Sequence, residues 1–442
     1  MHLLDVEDLY THFHTEDGLA RAVDGVSFSI AEGESLALVG ESACGKSVTA
    51  LSIMGLIRRP GFHPAGSIRL EGRELLGAEE SVLRRIRGNQ ISMIFQEPMT
   101  SLNPVYTVAN QLAEPLVLHQ RLTPAQARAR SQELLGQLGI ASPAVVLQSY
   151  PHPLSGGLRQ RVLIAMAIAC RPRLMIADEP STALDVTVQA QILHLIRELQ
   201  HQSGMALLLI THDLGVVNQM CERICVMYSG RVAEIAPREA LLGAPRHPYT
   251  ESLLRSIPRG VSRGQRLAVI RGQVRPATDY PPGCRFAERC DHAAARCRQA
   301  QPPLYPTGAA AVAACFLRDP REPLPRQALA PAVTPESKAG HGERHTGGAV
   351  LLEVRELRTH FPIRQGFFQR VVGHVRAVDG VSLTLRAGTT LGLVGESGCG
   401  KTTLGHSLLN LEGHASGEVR FEGRDLLHLP AGELRRMRRK LQ

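Results

Sequence analysis

The sequence contains no tryptophan, and phenylalanine and tyrosine leave it only 4% aromatic over 442 residues. Stacking platforms for single-stranded nucleic acid are therefore scarce. No stretch approaches the roughly 20 apolar residues that a bilayer-spanning helix needs. One of the longest, Val162 to Cys170, is sufficient only for a short buried helix, so a role at a membrane is expected to come through partners. The first residues, Met1-His-Leu-Leu-Asp-Val-Glu-Asp, lack the basic and apolar regions of a signal peptide. The chain is therefore expected to stay in the cytoplasm, with its nine cysteines mostly reduced. Its formal charge of +9 is spread along the sequence and reads as a solvated surface, with no nucleic-acid partner expected. The densest basic run, Arg435, Arg436, Arg438, Arg439 and Lys440, has no interleaved aromatics and reads as an exposed helix face.

The length and a 43% share of hydrophobic residues predict two or three domains with real cores. Arg21 to Ser47 and Arg376 to Thr402 align without gaps and agree at 17 of 27 positions, at an offset of 355 residues. A repeat that long marks a duplicated domain and not a stacked array. Between the copies, Pro320 to Gly348 is rich in Pro, Ala, Gly and charge, as a linker would be. The expected organisation is a first domain over 1–260, an extension over 261–320, a linker over 321–348 and a partial second domain over 349–442.

In the first copy, Ser35–Gly40, Ile91–Phe95, Leu174–Ala177 and Ala206–Ile210 read as buried strands separated by helical segments. Such alternation predicts an α/β fold with a mostly parallel sheet and ligand sites at the strands' carboxyl ends. The eight residues Gly40, Glu41, Ser42, Ala43, Cys44, Gly45, Lys46 and Ser47, followed by Val48, match the phosphate-loop pattern between a strand and a helix. Backbone amides of a tight glycine turn and a helix start converge there on phosphates, while Lys46 adds a charge and Ser47 a magnesium ligand. The second copy repeats the loop from Gly395 through Gly398, Gly400 and Lys401 to Thr402 and Thr403.

Asp178 and Glu179 close an apolar strand, and paired acids at a strand tip are costly unless a metal or a proton transfer uses them. Asp178 is assigned to Mg²⁺ and Glu179 to the water that attacks a γ-phosphate. Ser155, Gly156 and Gly157 precede a long helical pattern, where an anion site and a plain helix cap fit equally.

The ordered set of phosphate loop, Gln96, Ser155-Gly156-Gly157, Asp178-Glu179, Ala183-Leu184-Asp185 and His212 resembles the ABC ATPase family over residues 3 to 260. The resemblance implies a P-loop NTPase fold with a mixed sheet core and a helical signature subdomain, binding ATP and Mg²⁺. It also implies that Gln96 senses magnesium and a transmembrane partner, that Asp185 links two sites, that His212 contacts the γ-phosphate and that Phe13 stacks on adenine. Phe95 to Pro104 and Arg246-His-Pro-Tyr-Thr250 further resemble ATPase subunits of oligopeptide, dipeptide, nickel and glutathione importers. Such subunits carry a cysteine-bearing extension, which Cys284, Cys290, Cys297 and Cys315 fit. The alternatives for these thiols are a [4Fe–4S] cluster, a zinc ion and unligated reduced thiols.

Implied partners are two transmembrane permease subunits, an extracytoplasmic solute-binding protein and a second ATPase domain, all meeting at the cytoplasmic face of the inner membrane. Rival readings are a soluble ABC-type ATPase of DNA repair or translation and an inactive remnant occupying a transporter.

Two positions depart from the pattern: Ala43 stands where the second copy has Gly398, and Leu158 where Gln or Met is usual. Gln442 falls four residues before the second copy's expected Gln. The second copy is expected to be truncated, unable to bury its sheet, and poorly ordered or dependent on docking.

Overall fold

The structure, a computed structural model, is described for residues 2–96, 101–180, 185–257, 269–326, 348–365, 370–396 and 398–441. It divides into two compact units: one of residues 1–184 and 188–329, the other of 330–442 with Asp185–Thr187.

The first unit opens with a long antiparallel hairpin, β1 (His2–Thr15) and β2 (Gly18–Ala31). After β3 (Ser35–Val39) and helix α1 (Lys46–Ile53), the short strands β4 (Gly61–Phe62), β5 (Ser67–Leu70) and β6 (Arg73–Glu74) complete a sheet of order β2-β1-β5-β6, with β4 beside β1. Helix α2 (Glu80–Ile86) leads to β7 (Ile91–Ile94). A helical segment then intervenes: α3 (Val108–Gln120), α4 (Pro124–Gln137), α5 (Pro143–Gln148) and α6 (Gly156–Ile168). Thr123 and Gln126 close a capping box at the start of α4, with Pro124 in the first turn, where its missing N–H costs nothing.

The main sheet collects β8 (Leu174–Asp178), β9 (Ala206–Thr211), β10 (Arg223–Tyr228) and β11 (Arg231–Pro237). Helix α7 (Val186–Ser203) connects β8 to β9, and α8 (Leu214–Met220) connects β9 to β10. β3, β8 and β9 are buried along their whole length and pair in parallel, which explains why they read as unbroken apolar runs. Two hydrophobic clusters flank this sheet. One reaches into the helical segment through Leu112, Leu135 and Ile164, and the other into the antiparallel sheet through Leu4, Leu9 and Ile68.

Past α9 (Arg238–Gly243) and α10 (Pro248–Arg255), the extension holds α11 (Ala295–Gln299) and two short strands, β12 (Tyr305–Gly308) and β13 (Ala311–Ala313). These continue the main sheet, whose order is β12-β13-β11-β10-β3-β9-β8-β7. The sequence division at 260/261 lies among residues outside the described ones. The extension on its far side belongs to the first compact unit because β13 hydrogen-bonds β11.

The second unit repeats the antiparallel sheet: β14 (Val350–Gln365), β15 (Arg370–Arg386), β16 (Ala415–Phe421) and β17 (Arg424–Asp425) lie in the order β15-β14-β16-β17. Even a buried hydroxyl pair recurs, Thr11 with Ser52 at 2.9 Å and Thr359 with Ser407 at 2.7 Å. Contrary to expectation, this sheet does bury a face. Val354, Leu357, Val419 and Phe421 pack with Leu404 of α12 (Lys401–Leu408) and with Leu434 and Met437 of α13 (Ala431–Arg438). The antiparallel layer carries its own apolar stripe and needs no parallel sheet to cover it. Leu391, Leu393 and Val394, the counterparts of β3, form no strand among the described residues. Val394 is 89% exposed where Val39 is fully buried.

Candidate functional site

β3 delivers the chain into the turn from Gly40 to Gly45, and α1 begins at Lys46. Gly45 has φ 100°, and a Cβ there would stand 2.4 Å from the Ala22 carbonyl oxygen, so both conformation and space require glycine. Ala43 has φ 62°, a left-handed conformation that the second copy fills with Gly398 at φ 84°. The Lys46 ammonium is buried and donates to the carbonyls of Gly40 at 2.8 Å and Glu41 at 3.0 Å, which ties the turn back on itself. Burial raises the pKa of Cys44, so its thiol stays neutral under the loop. Ser42 and Ala43 are exposed at its tip, and Val48 is half-buried in α1.

Across the strand tips, Asp178 is only 3% exposed. Its carboxyl is pushed up by burial and by Glu179, against a hydrogen bond from Ser47 and the charge of Lys46. Its Oδ1 is buried with no hydrogen-bond partner among the described residues. An orphaned carboxylate oxygen beside a hydroxyl fits a hard divalent cation such as Mg²⁺. Glu179, at φ 48°, meets two of the other expected residues: Gln96 Nε2 donates to its Oε2 at 3.2 Å, and His212 Nδ1 lies 3.1 Å from its Oε1. Gln96 stands just past β7 and His212 just past β9, so three strand ends supply the group. The carboxylate is mostly covered, whereas the His212 side chain is 67% exposed.

Ser155 is the N-cap of α6 and accepts from the Leu158 amide at 3.4 Å, so the cap reading of this motif is realised. Ser155 and Gly156 are exposed at the helix start, Gly157 is half-buried, and Leu158 packs partly onto the core. Phe13 sits half-buried on β1 opposite Ala20 and Gly61, against whose Cα it packs closely. Asp185 directly precedes α7, while Ala183 and Leu184 lie outside the described residues. In the second unit, Gly400 caps α12 at φ 91°, and Lys401 donates to the carbonyls of Gly395 and Glu396 at 2.7 and 2.6 Å. Thr402 and Thr403 follow on the helix, exposed and half-buried.

Sequence reasoning missed the residues that brace the loop from the far side. The Glu41 amide donates to the Tyr249 hydroxyl at 2.9 Å, so the His-Pro-Tyr string, read only as a family mark, reaches the phosphate loop. Arg289 donates twice to the Glu41 carboxylate, at 2.6 and 2.9 Å, and to the Tyr228 hydroxyl at 3.1 Å. Phe286 packs into the rings of Tyr228 and Tyr249. Arg285 pairs with buried Asp24, which is held below the usual carboxylate range, against its burial, by Arg285 and Arg231. The only signal in the sequence was the crowding of two arginines and a phenylalanine between Cys284 and Cys290.

Cys284, Cys290, Cys297 and Cys315 line one small, mainly apolar cavity. Burial pushes Cys284 and Cys290 up to about 12 and Cys315 up to about 11, so these thiols are neutral as they stand. Among the described residues, no group of three or more His, Cys, Asp or Glu is placed to hold a metal ion.

A phosphate-gripping turn backed by a parallel strand, with an acid pair and a histidine across the strand tips, defines a P-loop ATPase. A family model described as "ABC transporter" matches residues 23–182 and 378–442, and one described as "Oligopeptide/dipeptide transporter, C-terminal region" matches 233–297. The oligopeptide transport ATP-binding protein OppD of Mycobacterium tuberculosis is 43% identical across all of this chain and 72% of its own length. The glutathione import ATP-binding protein GsiA of Salmonella typhimurium is 41% identical across all of this chain and 63% of its own. The oligopeptide transport ATP-binding protein AppD of Bacillus subtilis is 49% identical over 71% of this chain and 96% of its own. The chain thus spans about two thirds of the longer relatives. It belongs to the ABC transporter ATP-binding family, in the oligopeptide, dipeptide and glutathione importer branch, whose members are ATP-hydrolysing subunits that bind ATP with Mg²⁺.

Proposed function

We propose that the first unit forms one half of a composite ATP site and energises import of peptides or related small solutes, whether dipeptide, oligopeptide, glutathione or nickel. The meeting of Gln96, Glu179 and His212 on one carboxylate beside the Asp178–Ser47 pair carries this reading. Lys46 and the loop amides grip the phosphates, Ser47, Gln96 and Asp178 hold Mg²⁺, and Phe13 lies against adenine. Magnesium supplies charge neutralisation at the transferring phosphoryl group. Glu179 polarises the attacking water, and His212 is positioned at the γ-phosphate. Exposure of Ser155 and Gly156 suits a motif that serves the ATP of a second ATPase domain, with Gly157 behind them and Asp185 linking the two sites.

The partners are two permease subunits and an extracytoplasmic solute-binding protein, with the chain peripheral on the cytoplasmic face. Among the described residues, no helix is long and apolar enough to cross a membrane. Glu179→Gln tests the site: turnover is expected to be lost while Mg·ATP still binds, and unchanged hydrolysis refutes the role of Glu179.

The cysteine cavity is proposed as the seat of a [4Fe–4S] cluster, supported by four thiols lining one cavity and opposed by the lack of a preformed ligand set among the described residues. No catalytic step depends on it. Iron and sulfide analysis of anaerobically purified protein decides: about four irons per chain support the cluster, and folded, metal-free protein leaves reduced thiols.

A further inference from the structure

Glu41 is an acid built into an anion-binding loop. Its carboxylate is one residue past Gly40, in the turn whose amides are to receive phosphates, and a like charge there opposes nucleotide binding unless it is neutralised. The structure holds this residue at three points. Its amide is bound by Tyr249, its carbonyl by Lys46, and its carboxylate by both terminal nitrogens of Arg289.

Arg289 is itself fixed. Its side chain is 6% exposed, its Nε donates to the Arg271 carbonyl at 2.8 Å, and it closes a 3-10 turn, Ala287–Arg289, anchored by Phe286. The second copy supplies a contrast within the same chain. Glu396 occupies the position of Glu41, and among the described residues no basic side chain pairs with its carboxylate.

We infer that Arg289, a residue of the extension, is a positioning residue for the phosphate loop, neutralising and orienting Glu41 so that the loop can take Mg·ATP. The bidentate geometry suits this task, because a planar fork fixes the direction of the carboxylate as well as its charge. The inference rests on the reading of Gly40–Ser47 as the ATP site. It gives the extension a part in nucleotide binding that does not depend on what the cysteine cavity holds.

The test is a double-mutant cycle on the full chain, with Mg·ATP affinity and the KM and kcat of hydrolysis as readouts. Arg289→Ala is expected to weaken Mg·ATP binding and raise KM by about tenfold, the scale of a lost charge-assisted pair, with kcat little changed. In a Glu41→Gln background, the same substitution is expected to change affinity by less than about threefold, because the charge to be neutralised is gone. An equal loss in both backgrounds overturns the proposal and reduces Arg289 to a structural strut, and so does no loss in either. Should Arg289→Ala fail to fold, Arg289→Gln, which keeps much of the side chain and loses both the charge and the fork, carries the same cycle. Lys46→Ala separates the two readings: if it leaves Mg·ATP affinity intact, the site assignment has failed and not the clamp.

Discussion

Gln96 and His212 stand on opposite oxygens of one carboxylate, at 3.2 Å from Glu179 Oε2 and 3.1 Å from Glu179 Oε1. Under the proposed role of Glu179, the attacking water would have to share this carboxylate with both side chains. Both side chains are exposed, and His212 is far more so than the Glu179 it meets.

His212→Ala is accordingly expected to lower steady-state ATP hydrolysis by roughly 10²-fold, the scale of a lost proton-transfer or positioning group. A rate within a factor of two of the parent contradicts the assignment. Gln96→Ala is expected to reduce the rate as well and to raise the magnesium concentration needed for half-maximal turnover.

Ala43 holds a left-handed backbone conformation in which an L side chain costs about 1–2 kcal/mol. Glycine removes that cost and gives back about 0.4–1 kcal/mol through a freer unfolded chain. Ala43→Gly is thus expected to raise the melting temperature of the first unit by one or two degrees, on the order of 0.5–1 kcal/mol. A lower melting temperature by calorimetry counts against this account of the loop.

His247 is fully buried, accepts from the Tyr249 amide at 3.0 Å, and is pushed down by burial from 6.5 to about 4. The neutral ring is the folded form, so between pH 6.5 and 4 the unfolded chain binds the proton first. Stability from this group is complete above pH 6.5 and falls as pH drops towards 4, at up to about 1.4 kcal/mol per unit. His247→Asn keeps an acceptor without the titration. It is expected to be less stable than the parent at pH 7.5 and to lose less on acidification to pH 5, as read by chemical denaturation. Parallel pH profiles overturn the claim.

Deleting Tyr305–Ala313 removes β12 and β13 and leaves β11 as an open sheet edge. Open edges recruit other chains, so this variant is expected to elute as oligomers or aggregates in size-exclusion chromatography where the parent does not. An unaltered elution profile shows that the two strands are dispensable for covering the edge.

Much of the site was legible because its parts are local. The loop from Gly40 to Ser47, the acids at the end of β8 and the histidine after β9 each follow an apolar run whose end sets the location. What the sequence concealed was long-range. Glu41 meets Tyr249 and Arg289 across 208 and 248 residues, and no periodicity records such a contact. The two strands of the extension were likewise invisible. Tyr305–Gly308 and Ala311–Ala313 are too short to stand out, and pairing of the second with β11 and of the first with the second is what makes them strands. In the second unit, Leu391 to Val394 repeats the apolar composition of β3 but forms no strand among the described residues, whereas the burial of the antiparallel sheet by α12 and α13 was not foreseen.

That stretch also separates grip from leverage. Around Lys401, the left-handed glycine and the lysine folded onto the carbonyls of Gly395 and Glu396 form with no strand behind them among the described residues. A handful of adjacent residues therefore writes the turn, while what braces it in the first unit comes from segments some 200 residues away and more. A loop of this kind therefore marks a turn and a helix start, and by itself marks no strand behind them.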